Sequence, residues 1–597
     1  MNEFSYRFGP ETHPSGTVFR LWSPAIDAPR LDLDGTIHAM HPVGGGWHHS
    51  DPLPVEPGVR YGFRVSDDIL VPDPASRMQD DDVHGYSVLR PGSPPGGGTN
   101  RDGRTPREWS ETVVYELHIG TFSDAGDFRG VIAELPRLKE LGITTLEVMP
   151  IADFPGRWNW GYDGALPFAP DRAYGTPDDL AALVAAVHAH DLDIWLDVVY
   201  NHFGPEGNYL HLYAPHFFSD SIETPWGAGI DFSRWEVRRF FIENAVYWTR
   251  DIGFDGLRLD AVHAIHDPTP PGGVHVLNEL AATVRSVQPA GRPVRLVLEN
   301  DRNEASFLAP TTPEREPDRY DGQWNDDIHH AFHVLLTGER FGYYGGYTDD
   351  PEHLLARALA TGYVYQGERP PGSGTPRGEA SGHLSPTRMI SFLQNHDQIG
   401  NRAWGERLTS LTEAPALEAA TVLHLLTPQI PLLFMGEESG TEHPFRFFCD
   451  FDDDLAAAVR IGRRREFDLD DIPDPIAAET VHASRPGAFR ESERTRLYRA
   501  LLALRRRHLA PLLDQIGAGT VVPGGTGFRY GGDPGEDRPV PCVRWSAGEI
   551  TWCVTFNLTD TTRSGPGGDP VDAVYPEAVP TLKEIPPWTT YVWKEKK

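Results

Sequence analysis

The spacing of apolar and polar positions changes period along the chain and divides it into unlike stretches. In residues 17–65, TVFRLWSP and RYGFRVSD alternate as short antiparallel strands do, with turn-forming runs such as VGGGWHHS among them, so a small β-sandwich is expected over 1–89. The run RPGSPPGGGTNRDGRTP, Arg90 to Pro106, holds too much Gly and Pro for regular structure, and 90–110 reads as a linker.

Beyond the linker, apolar runs of strand length recur at Val113–Ile119, Thr144–Met149, Asp193–Val199, Gly256–Val262, Arg295–Leu298, Met389–Leu393 and Pro431–Met435. Amphipathic segments such as VIAELPRLKELG and PDDLAALVAAVHAH lie between them. With a weaker strand before Trp324 the count reaches eight, the number that closes a parallel barrel. The pattern therefore predicts an α/β fold, a (β/α)8 TIM barrel over 111–513. Its last helix would be Glu491–His508, whose basic end suits the negative pole of the helix dipole. No Gly-rich phosphate loop follows any strand, which argues against an open doubly wound sheet. Strand runs at Pro541–Trp545, Ile550–Leu558 and Thr589–Trp593 predict a C-terminal β-sandwich over 514–597.

Composition narrows the function classes. At 597 residues, 39% of them hydrophobic, the chain can bury several cores, and its net charge of −32 disfavours nucleic acid phosphates and anionic lipid. The opening MNEFSYRFGPETHPSG lacks the basic and apolar regions of a secretory signal, and no apolar run approaches the roughly 18 residues of a membrane span. A cytoplasmic protein is expected. Cys449, Cys542 and Cys553 have no metal spacing and read as buried free thiols.

Candidate chemistry lies at four strand ends: DVVYNH (Asp197–His202), GFDGLRLDAVHAI (Gly253–Ile265), LVLEND (Leu296–Asp301) and FLQNHDQIGNR (Phe392–Arg402). One acid after a strand is commonly a helix cap, and one histidine commonly a satisfied core group. Four such endings in one barrel pattern, at the edge where barrel enzymes place their chemistry, point to a catalytic set. Arg258 and Asp260 share a strand face by the period-two rule, so the guanidinium can hold the carboxylate ionised.

These motifs resemble the four sequence regions of the α-amylase superfamily, and the resemblance runs the length of the chain. It implies that Asp260 is the nucleophile of a retaining glycosidase, Glu299 the general acid and base, and Asp397 the carboxylate that holds sugar hydroxyls. Glu299 is then expected in a partly desolvated site that preserves its proton. The resemblance further implies substrate contacts for Asp197, His202, Arg258, His263, Asn395 and His396, and stacking of Tyr162, from NWGYDG, on the sugar at the cleavage point. Many members bind a structural calcium through the residue matching Asn201 and acids of a long insertion. Here the loop from Phe203 to about Ile230 is short and poor in paired carboxylates, so no metal and no cofactor are expected.

Longer wording, ELHIGTFS, QWNDDIHHAFHVLLTGE, QNHDQIGNRAWGERL and MGEESGTEHPFRFFCDF, is similar to the trehalose-releasing branch of that superfamily. This implies maltooligosyltrehalose and related α-1,4-glucan oligosaccharides as substrates, and maltooligosyltrehalose synthase as the pathway partner. Asn325, Asp326, Glu437 and Glu438, near predicted strand ends, are candidates for contacts to the trehalose unit. The alternatives are a glycogen branching enzyme, a general α-amylase-type hydrolase, or a glucan-binding scaffold with a dead barrel. Intact Asp260, Glu299 and Asp397 argue against the last.

Overall fold

A computed structural model describes residues 4–90, 107–224, 227–269, 273–289, 291–309, 319–522, 539–568, 570, 572–577 and 581–596. Most of the expected linker, 91–106, lies outside the described residues. Eight parallel strands pair in sequence order: β1 (Val114–Leu117), β2 (Thr145–Val148), β3 (Asp193–Val198), β4 (Gly256–Leu259), β5 (Arg295–Glu299), β6 (Gly322–Trp324), β7 (Met389–Phe392) and β8 (Ile430–Phe434). β8 pairs back to β1 and closes the barrel, including the weak strand expected before Trp324.

Register decides what faces inward. Glu116 lies beside Glu147, Glu147 beside Trp195, Asp197 beside Arg258, and Glu299 beside Trp324. Below the acids, Val114, Trp195, Val297, Trp324, Ile390, Ile430 and Leu432 form one buried cluster, so the interior is a packed core with a polar layer above it. A Cβ on Gly256 would come within 2.6 Å of the Trp195 ring, so it is the missing side chain on β4 that lets this indole fill the barrel.

The outer helices start where side-chain caps allow. Asp127 accepts from the Gly130 N–H ahead of Phe128–Leu141, and Thr176 with Asp179 forms a capping box on Pro177–Ala189. The last barrel helix departs from expectation. It runs Glu493–Leu504 and continues as a wider turn at Arg505–Leu509. Buried Arg505 donates to the carbonyls of Leu425, Thr427 and Gln429, so it satisfies the end of the helix Ala414–Leu425 and the turn after it rather than its own dipole.

Before the barrel, the long strand Thr36–Gly44 pairs through its first half with Arg30–Leu33 and through its second half with Trp47–Ser50, joining two antiparallel layers. This unit docks on the barrel where the Phe8 and Phe240 rings meet at 5.0 Å and buried Glu243 accepts the amides of Arg7 and Phe8. After the barrel, a five-stranded antiparallel sheet spans Thr520–Val522, Cys542–Ala547, Ile550–Asn557, Thr589–Lys596 and Asp572–Tyr575 in that spatial order. Trp552 and Thr590 tie it to the barrel by bonds of 2.9 Å to the Leu426 and Ala419 carbonyls. All three cysteines are buried and free. Among the described residues no helix is long and apolar enough to cross a membrane.

Candidate active site

Arg258, near the end of β4, is the hub of the site. Its side chain is 1% exposed, and its guanidinium lies over the Trp324 ring with 4.0 Å to the ring centre. Nη1 donates to both oxygens of Asp197, at 2.9 and 2.7 Å, and to Asp260 Oδ1 at 2.9 Å, while Nη2 donates to Glu299 Oε2 at 2.7 Å. Three carboxyl groups from three neighbouring strand ends therefore converge on one planar cation, an arrangement its fork of donors favours. The sequence pairing of Arg258 with Asp260 is met, and the same group also reaches Glu299.

Immediately after Asp260 the chain turns through Ala261 at φ 39°, a left-handed conformation that costs a non-glycine residue about 1–2 kcal/mol. The turn aims the Ala261 N–H at Glu299 Oε2, 2.8 Å away. The Glu299 side chain is 19% exposed, and its Oε2 already accepts from Arg258 and from the backbone. Asp260 is further held by its own N–H on the Val198 carbonyl and by Asn201 Nδ2 at 3.4 Å from Oδ2.

Asp397 sits in the first turn of the short helix His396–Gly400. Asn395 caps that helix, its Oδ1 accepting the N–H groups of Asp397 and Gln398, and Asn401 Nδ2 donates to Asp397 Oδ1 at 2.6 Å. Burial pushes the Asp397 carboxyl above the usual range; a positive charge on His396 would oppose this, and the nearby Glu299 adds to it. Tyr162 lies nearly parallel to the His396 ring at 5.1 Å and donates to Asp197 Oδ2 at 2.7 Å. Burial pushes Asp197 up to about 7 against the pull of Arg258. Trp160 is core, stacked on Phe445 and bonded to the Arg446 carbonyl.

Several expected substrate contacts have other work here. Asn325 is wholly buried and caps the helix Asp326–Thr337, with its amide nitrogen on the Gly362 carbonyl, so neither end is left for sugar. Glu437 accepts from Tyr498 at 2.8 Å, and Glu438 from Arg137 at 2.6 Å and from Tyr115, which places both in the wall behind β8. The His202 ring bonds Asn201 and the Tyr162 carbonyl, both at 2.9 Å, and so braces the loop that presents Tyr162. His263 Nδ1 accepts from the Asp301 N–H at 3.4 Å, linking the turns after β4 and β5. Asp326 alone of the four trehalose candidates faces the reacting groups. Burial raises its carboxyl well above the usual range, and Glu299 adds to that. Among the described residues no group of three or more His, Cys, Asp or Glu is arranged to hold a metal ion.

Two residues of this layer escaped sequence reasoning: Glu116 on β1 and Glu147 on β2, each 1% exposed. Their signal was available, a single acid inside a buried apolar strand run, in VVYELHI and TTLEVMP. Burial pushes Glu147 well above the usual range, and its neighbour Glu116 adds to the shift. A folded state that binds this proton more tightly than the unfolded chain is most stable below the unfolded pKa of about 4.3 and loses stability as pH rises through the folded pKa. Glu147→Gln is therefore expected to be more stable than the parent at pH 7 to 8, with the gain vanishing below about pH 4. Melting temperatures across that range check it, and equal curves at all pH values would contradict it.

A barrel whose strand ends present three carboxyl groups on one buried arginine, with a fourth acid in the first helical turn after β7, defines an α-amylase-type glycoside hydrolase. In agreement, a family model described as alpha amylase, catalytic domain, matches residues 98–223. The malto-oligosyltrehalose trehalohydrolase of Deinococcus radiodurans is 41% identical over 513 residues, covering 82% of this chain and 81% of that protein. Its counterpart in Saccharolobus solfataricus is 38% identical, covering 84% and 87%. The chain belongs to the malto-oligosyltrehalose trehalohydrolase family. A crystal structure of a candidate alpha amylase from Salmonella typhimurium superposes with a TM-score of 0.90 at 41% identity, covering 99% of this chain and all of that one. The branching enzyme GlgB of Rhodospirillum rubrum matches only in part, 33% identical over 41% of this chain.

Proposed function

We propose that the chain is a retaining hydrolase that cleaves the α-1,4-glucosidic bond next to the terminal trehalose unit of maltooligosyltrehalose, releasing trehalose and a maltooligosaccharide. The observation that carries this reading is the Arg258 hub, which holds Asp260 and Glu299 at 2.9 and 2.7 Å from one guanidinium at the mouth of the barrel. In the first step Asp260 attacks the anomeric carbon, the glucosidic C–O bond breaks, and Glu299 gives its proton to the departing oxygen of trehalose. In the second, Glu299 takes a proton from water, the water oxygen bonds the anomeric carbon, and Asp260 leaves as carboxylate. Arg258 donates to Asp260 before the attack and again as it departs as carboxylate. The proton that Glu299 donates belongs on Oε1, since Arg258 and Ala261 occupy Oε2. Asp397 accepts from hydroxyls of the sugar being cleaved, and Tyr162 stacks on that sugar.

On the trehalose side, Asp326 is the remaining candidate contact. The 1,1 linkage turns the terminal glucose in a direction that a 1,4-linked end does not take, so groups placed for it are left unpaired by an ordinary chain end. Maltooligosaccharide with an ordinary reducing end is therefore expected to show kcat/KM at least about tenfold lower, about 1.4 kcal/mol in transition-state binding. Steady-state kinetics on both substrates test this, and comparable values would replace the reading with a general α-amylase-type hydrolase. The supplier of substrate in this account is maltooligosyltrehalose synthase, and the three buried free thiols are consistent with work in a reducing cytoplasm.

A further inference from the structure

Glu116 belongs to the buried acid layer of the site. It stands on β1 across the barrel mouth from Glu299, and Asp397 reaches the site from β7. The residue joining the two is His396: its backbone N–H donates to Glu116 Oε2 at 3.1 Å, and its ring Nδ1 lies 2.5 Å from Glu116 Oε1. Both oxygens of one buried carboxylate are thus spent on one residue, the residue that precedes Asp397. Trp160 closes on the ring edgewise and Tyr162 lies against its face, so the imidazole is held on three sides.

We propose that Glu116 is a positioning residue for the reaction: by accepting the backbone N–H and the Nδ1–H of His396, it holds that imidazole as a double donor and sets the placement of Asp397. With Nδ1–H committed to Glu116, Nε2–H is the donor left for a sugar hydroxyl, and a neutral ring with its proton on Nδ1 has none there. Burial works against the charged ring, but Glu116, by charge and by hydrogen bond, outweighs it, and the His396 pKa is raised. The other groups facing this pair are Glu147 from β2, Asp197 from β3, Arg258 from β4, Tyr162 from the loop after β2, and Asp397 from the same helix. Arg258 opposes a charged His396 and Asp397 favours it. His118, also near His396, is pushed down to about 4 by burial and adds no charge of its own at neutral pH.

The inference rests on the catalytic roles proposed above, and its first test needs no substrate. In the intact protein, imidazole nitrogen NMR at pH 7 is expected to show His396 protonated at both nitrogens, and a neutral His396 overturns the proposal. Glu116→Gln keeps both contacts in shape: its carbonyl accepts the backbone N–H and its amide donates to a neutral Nδ1, so Nε2–H persists but only as an uncharged donor, about half as strong as a charge-assisted one. It removes the charge. In this variant His396 is expected to be neutral at pH 7, kcat/KM to fall about 10- to 100-fold, the range seen when a group that orients a ligand is lost, and the alkaline limb of the pH profile to move toward acid by about one unit or more. The same fall with the limb unmoved would show a packing role only and overturn the proposal. If Glu116→Gln does not fold, Glu116→Asp decides: it retains the charge and is expected to keep His396 doubly protonated, and a neutral ring there counts against the proposal.

Discussion

Asp260→Ala is expected to lower kcat on maltooligosyltrehalose by roughly four orders of magnitude or more, about 5 kcal/mol of barrier, while the protein remains folded. The size follows from the chemistry. Without Asp260 no covalent intermediate forms, and Arg258, deprived of that partner, still has Asp197 and Glu299 to hold it, so the loss is catalytic rather than structural. A single-turnover rate measurement beside a melting curve checks this. Retention of more than about a tenth of the parent rate would remove Asp260 from the role, since lesser electrostatic help is commonly worth more than that.

Glu299→Gln is expected to cost about 10²- to 10⁴-fold on the natural substrate, the usual worth of a positioned proton donor. Its diagnostic is the leaving group. A glycosyl fluoride needs no protonation to depart, so it is expected to recover a large part of the first-step rate in Glu299→Gln and none in Asp260→Ala. The glutamine amide can still accept from the Ala261 N–H, which keeps the turn after Asp260 in place. Equal losses on both substrates would point to another acid, with Asp326 the next to examine, because its buried carboxyl is held well above the usual range beside Glu299 and Asp397.

The barrel was legible because each inner strand is a short apolar run and each connection is amphipathic, so the period of the pattern reports the layer. Asp197, Arg258, Asp260, Glu299 and Asp397 were legible because strand ends of such a barrel share one face. What the pattern does not carry is which polar groups near that face are already spoken for. Asn325 is taken by a helix cap and a distant carbonyl, and Glu437 by Tyr498, whose proximity depends on how the last helix returns to β8. Glu116 and Glu147 were lost for the opposite reason, since an acid in a buried run reads as an exception to the apolar rule, and nothing in the pattern pairs Glu116 with a histidine in the short helix after β7. Loop contributions were the least legible: in Gly342–Tyr347, Tyr343 nears Asp326 and Asp397, and no periodicity marks such an approach.

The most direct measurement is proton NMR of maltooligosyltrehalose during the first minutes of hydrolysis, before the product anomers equilibrate. The account predicts free trehalose together with a new maltooligosaccharide reducing end that first appears as the α-anomer. A β-anomer at that end, or reducing sugars released without trehalose, would contradict it.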